Sequence, residues 1–328
     1  MEFRTTVEMP SDHPQIAHSD KLMVWGSCFA ENIGKRLLDN KFQCDTNPFG
    51  VLYNPLSIAK AVKQLVCRKR YTPDDLMHEK DVWFSLMHHS SFNSPDREQC
   101  LQNINTRIEK GMEYLKQASW LIFTWGTARV YSWNENGEIV GNCHKLPERM
   151  FSRRLLATDE IVTVYEDLLN SLHADSPNMK MLFTVSPIRH AKDGMHGNQL
   201  SKATLLLAIN ELCARLPFCY YFPSYEIMMD ELRDYRFYAD DMLHPSQLAT
   251  DYIWEQFSGT YLSGPALSFI KQWESIRKGL DHRPFNPQSD TYRKFVSQIL
   301  LKIRDLKEKF PYLDVQNEEQ TCQALLKK

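Results

Sequence analysis

The chain has 328 residues, 43% apolar and 24% charged, enough to bury a real core in one large α/β domain or two smaller ones. A formal net charge of −2 gives no bulk electrostatic case for nucleic acid or an anionic membrane as partner. No apolar run approaches the roughly 20 residues of a membrane span, and the N-terminus lacks the basic start and apolar stretch of a secretory signal, so a cytoplasmic location is expected.

Residues 3–8 are read as an edge strand or a surface arm. Leu22 to Trp25 is an apolar run of strand length, Gly26 and Ser27 supply a turn, and from Phe29 the apolar residues recur at Ile33 and Leu37, which is helical spacing. Cys28 therefore falls where a strand ends and a helix begins. Free backbone N–H groups and the positive end of the helix dipole meet there, and both favour a thiolate; the alternative is a small buried hydrophobe. Phe42 to Asp45 is a short second strand, leading into a Pro/Gly/Asn-rich loop from Asn47 to Pro55. The pattern then predicts a helix over Leu56 to Arg68, capped by Asn54 or Ser57, a strand over Asp81 to Met87 and a polar loop at His88 to Phe92. A long amphipathic helix follows over 97–117.

Trp120 to Trp125 is a strongly apolar strand ending in Gly126-Thr127. Val130 to Trp133 and Glu138 to Val140 flank Asn134-Glu135-Asn136-Gly137, the signature of a hairpin inserted after that strand. Helices over 158–172 and 198–216 alternate with strands over 180–185 and 218–222, and a helix over 225–232 follows. This alternation implies a mainly parallel sheet with helices on both faces. Asp241 to Ser246 is a loop before a helix over 247–257. Beyond Leu262 the chain reads as helical (264–280, 289–310), a C-terminal extension over 263–328 packed on the main domain of residues 1–262. The polar tail from Gln316 is expected to fray.

Eight cysteines are scattered without any Cys-x-x-Cys, so free thiols are expected rather than disulfides or a zinc site. Phosphate-loop, dinucleotide and His-Glu-x-x-His motifs are absent, so neither a cofactor nor a metal is expected. In an open α/β sheet, ligands bind at the carboxyl ends of the strands. Of the loops placed there, Asp241-Met242-Leu243-His244 is the most telling. An Asp three residues before a His can fix the imidazole tautomer and leave the other nitrogen as base. Asp240 is a competing partner.

Gly26-Ser27-Cys28-Phe29-Ala30 resembles the namesake motif of the GSCFA family, placed in the SGNH (GDSL-like) hydrolase superfamily. The resemblance runs from about Arg4 to about His282. It extends to Asn47-Pro48-Phe49-Gly50, Gly126-Thr127-Ala128, Asn142-Cys143-His144-Lys145, Ser186 to His190 and Asp241 to His244. It implies a three-layer α/β/α sandwich of SGNH-hydrolase-like, flavodoxin-like type. It further implies Cys28 as nucleophile, with Ser27 the neighbouring alternative, His244 as base and Asp241 orienting it.

Gly50 matches the oxyanion glycine. The oxyanion asparagine is replaced by Ala128, a departure that puts about 2.7–4 kcal/mol of transition-state stabilisation in question. Asn142 is the best substitute and Asn47 the second. Gly126, Thr127, His144, Arg189 and His190 complete the expected substrate-binding set. Trp25, Trp125 and Tyr131 are read as core. The implied activity is that of an esterase or acyltransferase on a small-molecule or carbohydrate acyl ester, the carbohydrate resting on superfamily analogy. The alternatives are a non-catalytic binding protein on the same fold and a redox-sensing thiol.

Overall fold

The computed structural model describes residues 4–327. In chain order the elements are β1 (Lys21–Gly26), α1 (Cys28–Asp39), β2 (Gln43–Thr46), α2 (Pro55–Val66), β3 (Met77–Glu79), β4 (Val82–Phe84) and α3 (Arg97–Leu115). They continue as β5 (Trp120–Trp125), β6 (Arg129–Trp133), β7 (Ile139–Val140), β8 (Phe151–Leu155), α4 (Thr158–Asp175), β9 (Lys180–Val185), α5 (Gly194–Arg215) and β10 (Cys219–Tyr221). The short α6 (Ser224–Glu226) runs into a wide turn over Ile227–Glu231. Then come α7 (Gln247–Tyr261), α8 (Gly264–Asp281), α9 (Asp290–Lys309) and α10 (Gln316–Leu326).

Five strands form a parallel sheet in the order β10-β9-β5-β1-β2. Numbered within the sheet by chain order, this is the 2-1-3-4-5 arrangement of flavodoxin-like sheets, whose order reverses between β1 and β5. Both faces of the sheet are buried, yet the period-2 alternation survives. Met23, Trp25, Leu121, Phe123 and Phe183 point to one side, against α2, α3, α4 and α5. Leu22, Val24, Trp120, Ile122 and Leu182 point to the other, against α1 and α7. The result is a helix–sheet–helix sandwich.

The predicted hairpin forms as β6 and β7, but β8 joins it as a third antiparallel strand. The sequence hid β8 because Ser152, Arg153 and Arg154 interrupt its apolar pattern and are exposed on the sheet edge. The predicted strand over 81–87 is shorter, and β4 pairs with the unpredicted β3 in a two-stranded ribbon. Of the predicted arm, Phe3 lies outside the described residues. Residues 4–8 form no strand; the Val7 N–H donates to Glu231 Oε1 at 2.8 Å and Arg4 sits over the Tyr252 ring.

The tail from Gln316 does not fray, contrary to expectation. It forms α10, which buries Cys322 against α9 and pairs Glu318 with Lys41 (2.7 Å) and Glu319 with Lys307 (3.2 Å). One buried residue and two ion pairs hold it, a signal too sparse for periodicity to reveal. The C-terminal helices have their own apolar cluster around Trp273, Ile299 and Ile303. They join the sandwich through Trp273 Nε1–H donating to Asp39 O and through the His18–Tyr312 hydrogen bond, both 2.9 Å. Among the described residues no helix is long and apolar enough to cross a membrane. The eight cysteines are free.

Candidate active site

The turn after β1 is built for one residue type at a time. Gly26 has φ +138°, and a Cβ there would lie 2.1 Å from Thr124 O on the neighbouring strand. Only glycine tolerates both conditions. Asn47 closes the strand end: its Oδ1 accepts the Gly26 N–H at 2.8 Å while its own N–H donates to Val24 O. Ser27 then caps α1. Its Oγ accepts the Phe29 N–H at 3.3 Å and donates to Ser186 Oγ at 3.1 Å, and the residue is 1% exposed. Cys28 is the first residue of the helix and is half-buried. Its N–H is among the four that an α-helix leaves without an intrahelical acceptor.

This turn stands at the reversal of strand order, where the crevice of an open α/β sheet is expected. A cavity of about 620 Å³ lies there. It brings together Ser27, Cys28, Thr127, Asn142, Arg189, His190 and His244 from five separate loops. Asp241 stands behind His244, its Oδ2 2.5 Å from Nδ1. The other carboxylate oxygen accepts the Leu243 and His244 N–H groups, each at 2.9 Å. Those backbone bonds, and then the imidazole, hold the Asp241 carboxyl down at about 2. Met242, at φ +59°, bends the loop. The Arg189 N–H donates to Leu243 O at 3.2 Å and ties the loop to the end of β9. Asp241, not Asp240, is the partner of His244.

Four expected site residues sit elsewhere or are otherwise engaged. Gly50 donates its N–H to Asn47 O at 2.8 Å, and its position is filled by the His89 side chain. The Gly126 and Thr127 N–H groups both donate to Tyr53 O, at 2.8 and 3.0 Å. His144 stacks on Phe84 and bonds Ser85 O at 3.0 Å, outside the cavity lining. Ala128 is fully buried in the core, its N–H donating to Ser201 Oγ at 2.7 Å. Asn142 does line the cavity. Its Oδ1 accepts the His144 N–H at 2.8 Å, which leaves the side-chain NH₂ as a free donor. Trp25 and Trp125 are core, as expected, but Tyr131 is half-buried and lines the cavity, with Lys192 and Arg153 over its ring.

The neighbours set the electrostatics. Tyr53 lines the cavity beside Cys28; burial, and then the thiol itself, push its hydroxyl up to about 12. His190 is pushed down to about 4, by burial first and by the Lys202 charge second, and its Nε2 is buried with no hydrogen-bond partner among the described residues. It is a neutral ring at physiological pH. Lys202 is the residue that sequence reasoning missed. It is 1% exposed, and its Nζ donates to Gly126 O and Ser186 O, both at 2.7 Å. It thus clamps the two loops that leave β5 and β9 directly under the cavity. Burial lowers its amine to about 7. The signal was present in the sequence: Lys202 shares a helical face with Asn198, Leu205 and Ile209, an apolar stripe in which a lysine is out of place. Tyr53, Asn54 and Arg129 also line the cavity, from the 47–54 and 126–129 loops expected at the carboxyl ends of the strands; Arg153 lines it too and was not anticipated. Arg129 follows a strand end and was legible in principle; Arg153 lies on the hidden β8.

A family model described as the GSCFA family matches residues 21–257, and a second, described as GSCFA domain protein, C-terminal domain, matches residues 273–328. No curated protein and no solved structure matches the chain significantly.

Proposed function

The chain belongs to the GSCFA family, and we propose that it is an acyl-ester hydrolase or acyltransferase of the SGNH type. The observation that carries this reading is the convergence of Cys28 and an Asp241-held His244 on one cavity at the strand-order reversal. With Nδ1–H donated to Asp241, the His244 ring presents Nε2 as the basic nitrogen. It takes the thiol proton as Cys28 Sγ attacks the acyl carbonyl. The C–O π electrons move onto oxygen, and the resulting oxyanion is met by the Cys28 N–H and the Asn142 NH₂. Collapse expels the alcohol, which recovers the proton from His244, and leaves a thioester. Water or a second acceptor hydroxyl then attacks the thioester and the thiol is regenerated. Ser27 is an unsuitable nucleophile in this arrangement. It is buried, caps the helix and has its hydroxyl proton committed to Ser186.

The test is turnover of p-nitrophenyl acetate, and of acetyl-CoA with an acceptor alcohol, by wild type, Cys28→Ala, His244→Ala and Ser27→Ala. Loss in the first two variants with soluble, folded protein is the expected result. Equal rates in all four proteins would sink the mechanism.

A binding role without turnover is the second reading. One observation favours it: of the expected oxyanion donors, the Gly50 amide is spent on Asn47 O and the asparagine position is held by Ala128, buried in the core. It predicts ligand retention with no Cys28-dependent chemistry.

A further inference from the structure

The charge balance of the cavity is uneven. Arg129, Arg153, Arg189 and Lys192 line it, and Asp193 is the only carboxylate among its lining residues. Asp193 is spent on Arg153, with guanidinium–carboxylate contacts of 2.5 and 2.7 Å. Lys192 reaches out to Glu148 at 2.6 Å. Arg129 is left with a single long contact of 3.7 Å from Nε to the already engaged Asp193. Arg189 has no ion pair among the described residues. The Nε atoms of Arg129 and Arg189 are buried and have no hydrogen-bond partner among them.

Both side chains are half-buried rather than sealed off, and a guanidinium partly withdrawn from water without a carboxylate of its own is left short of acceptors. Two such groups line the cavity, and the described residues supply no carboxylate to Arg189 and only a shared, distant one to Arg129. A planar, forked donor matches a carboxylate or phosphate bidentately. We propose that Arg129 and Arg189 form an anion subsite beside Cys28, so that the molecule bound there carries a carboxylate or an equivalent oxyanion. The neutral ring of His190 lines the same cavity and fits the uncharged remainder of such a molecule. That the anion sits next to a transferable acyl group rests on the reading of Cys28 as nucleophile. Anion binding itself does not.

Binding is therefore read without turnover. Thermal shift and calorimetry are run with glucuronate, inorganic phosphate and neutral glucose on wild type, Arg129→Gln and Arg189→Gln. Arg154→Gln, a surface arginine paired with Glu160, serves as the charge control. At least one of the two anions raises the melting temperature and glucose does not. Each cavity arginine variant weakens binding about tenfold or more, while Arg154→Gln binds as wild type. Glucuronate against phosphate separates a carboxylate from a phosphate source. A shift that is the same for glucose and the anions, or that survives unchanged in both cavity variants, overturns the subsite. A second arm compares hydrolysis of 4-acetoxybenzoate and 4-nitrophenyl hemisuccinate with that of p-nitrophenyl acetate. A protein that binds the anion but hydrolyses none of the three refutes the esterase reading and leaves the subsite standing.

Discussion

His244 Nδ1 stands 2.5 Å from Asp241 Oδ2, and the same carboxylate also accepts the His244 backbone N–H. One side chain thereby sets both the position of the histidine and the orientation of its ring. Asp241→Asn keeps the shape but replaces an obligate acceptor with a group that can present NH₂ to Nδ1, which favours the wrong tautomer. On the proposed mechanism kcat falls about 100-fold or more, while KM for p-nitrophenyl acetate stays near the wild-type value. Because backbone bonds hold the Asp241 carboxyl at about 2, it is ionised throughout pH 4–9. The wild-type pH–rate profile therefore contains no Asp241 limb in that range. An Asp241→Asn enzyme with an unchanged kcat would remove Asp241 from the mechanism.

Gly26→Ala separates conformational cost from collision. At Gly26 the new methyl meets Thr124 O at 2.1 Å and the backbone is held at φ +138°. At Gly137, also left-handed at φ +72°, nothing lies within 4 Å of the added carbon. Gly137→Ala is expected to cost about 1 kcal/mol in urea unfolding. Gly26→Ala is expected to cost about 3 kcal/mol or more, or to prevent folding. Equal midpoints for the two variants would mean that β1 and β5 can separate freely at the site.

Lys202 makes stability depend on alkaline pH. Its folded value, about 7, lies below the ordinary 10.5. Between those two values the unfolded chain holds a proton that the folded chain has released. Stability therefore rises with pH across that window, and the contribution is at its minimum below about 7, where both states are protonated. Lys202→Met strands two buried carbonyls, Gly126 O and Ser186 O, at a cost of roughly 2 kcal/mol at high pH. It also removes the slope. Melting temperatures of wild type and Lys202→Met should converge on going from pH 9.5 to pH 7. Parallel curves would show that the amine stays charged in the fold.

Much of the sandwich was legible in the sequence because its core strands are continuous apolar runs: β1, β5 and β9 are buried along nearly their whole length. The elements that escaped notice, β3, β8 and α10, are short or polar and owe their existence to a partner. β8 needs β6, and α10 needs α9 and Lys41. The site divides in the same way. Cys28 and the Asp241–His244 pair carry local signals, a turn before a helix and a three-residue spacing. Arg153 carries none, and Lys202 only the oddity of a lysine in an inward-facing helix stripe; the folded packing brings the edge strand to the cavity and the amine beneath it. The expected oxyanion glycine failed for a related reason: a loop's hydrogen bonds decide which amides remain free, and Gly50 N–H is spent within its own turn.

His88 makes the fold sensitive to acid. It is wholly buried, stacked on Phe49 with Tyr71 and Phe92 edge-on, and its Nε2 has no hydrogen-bond partner among the described residues. Burial, reinforced by the neighbouring His144, pushes it down from 6.5 to about 3. The stability it contributes is present in full above about 6.5 and is lost as pH falls toward 3, because the unfolded chain takes up a proton that the folded chain refuses. His190, pushed down to about 4, acts in the same direction over the upper part of that window. His88→Phe keeps a flat ring in the aromatic cage and removes both the proton uptake and the orphaned nitrogen. It is expected to match or exceed wild type in melting temperature at pH 7.5 and to lose less stability than wild type between pH 6.5 and 4, the shares of His190, His144 and His18, all pushed down by burial, remaining. Wild type and His88→Phe falling together over that range would show that His88 takes up its proton in the folded state, and that its aromatic cage opens to water below neutral pH.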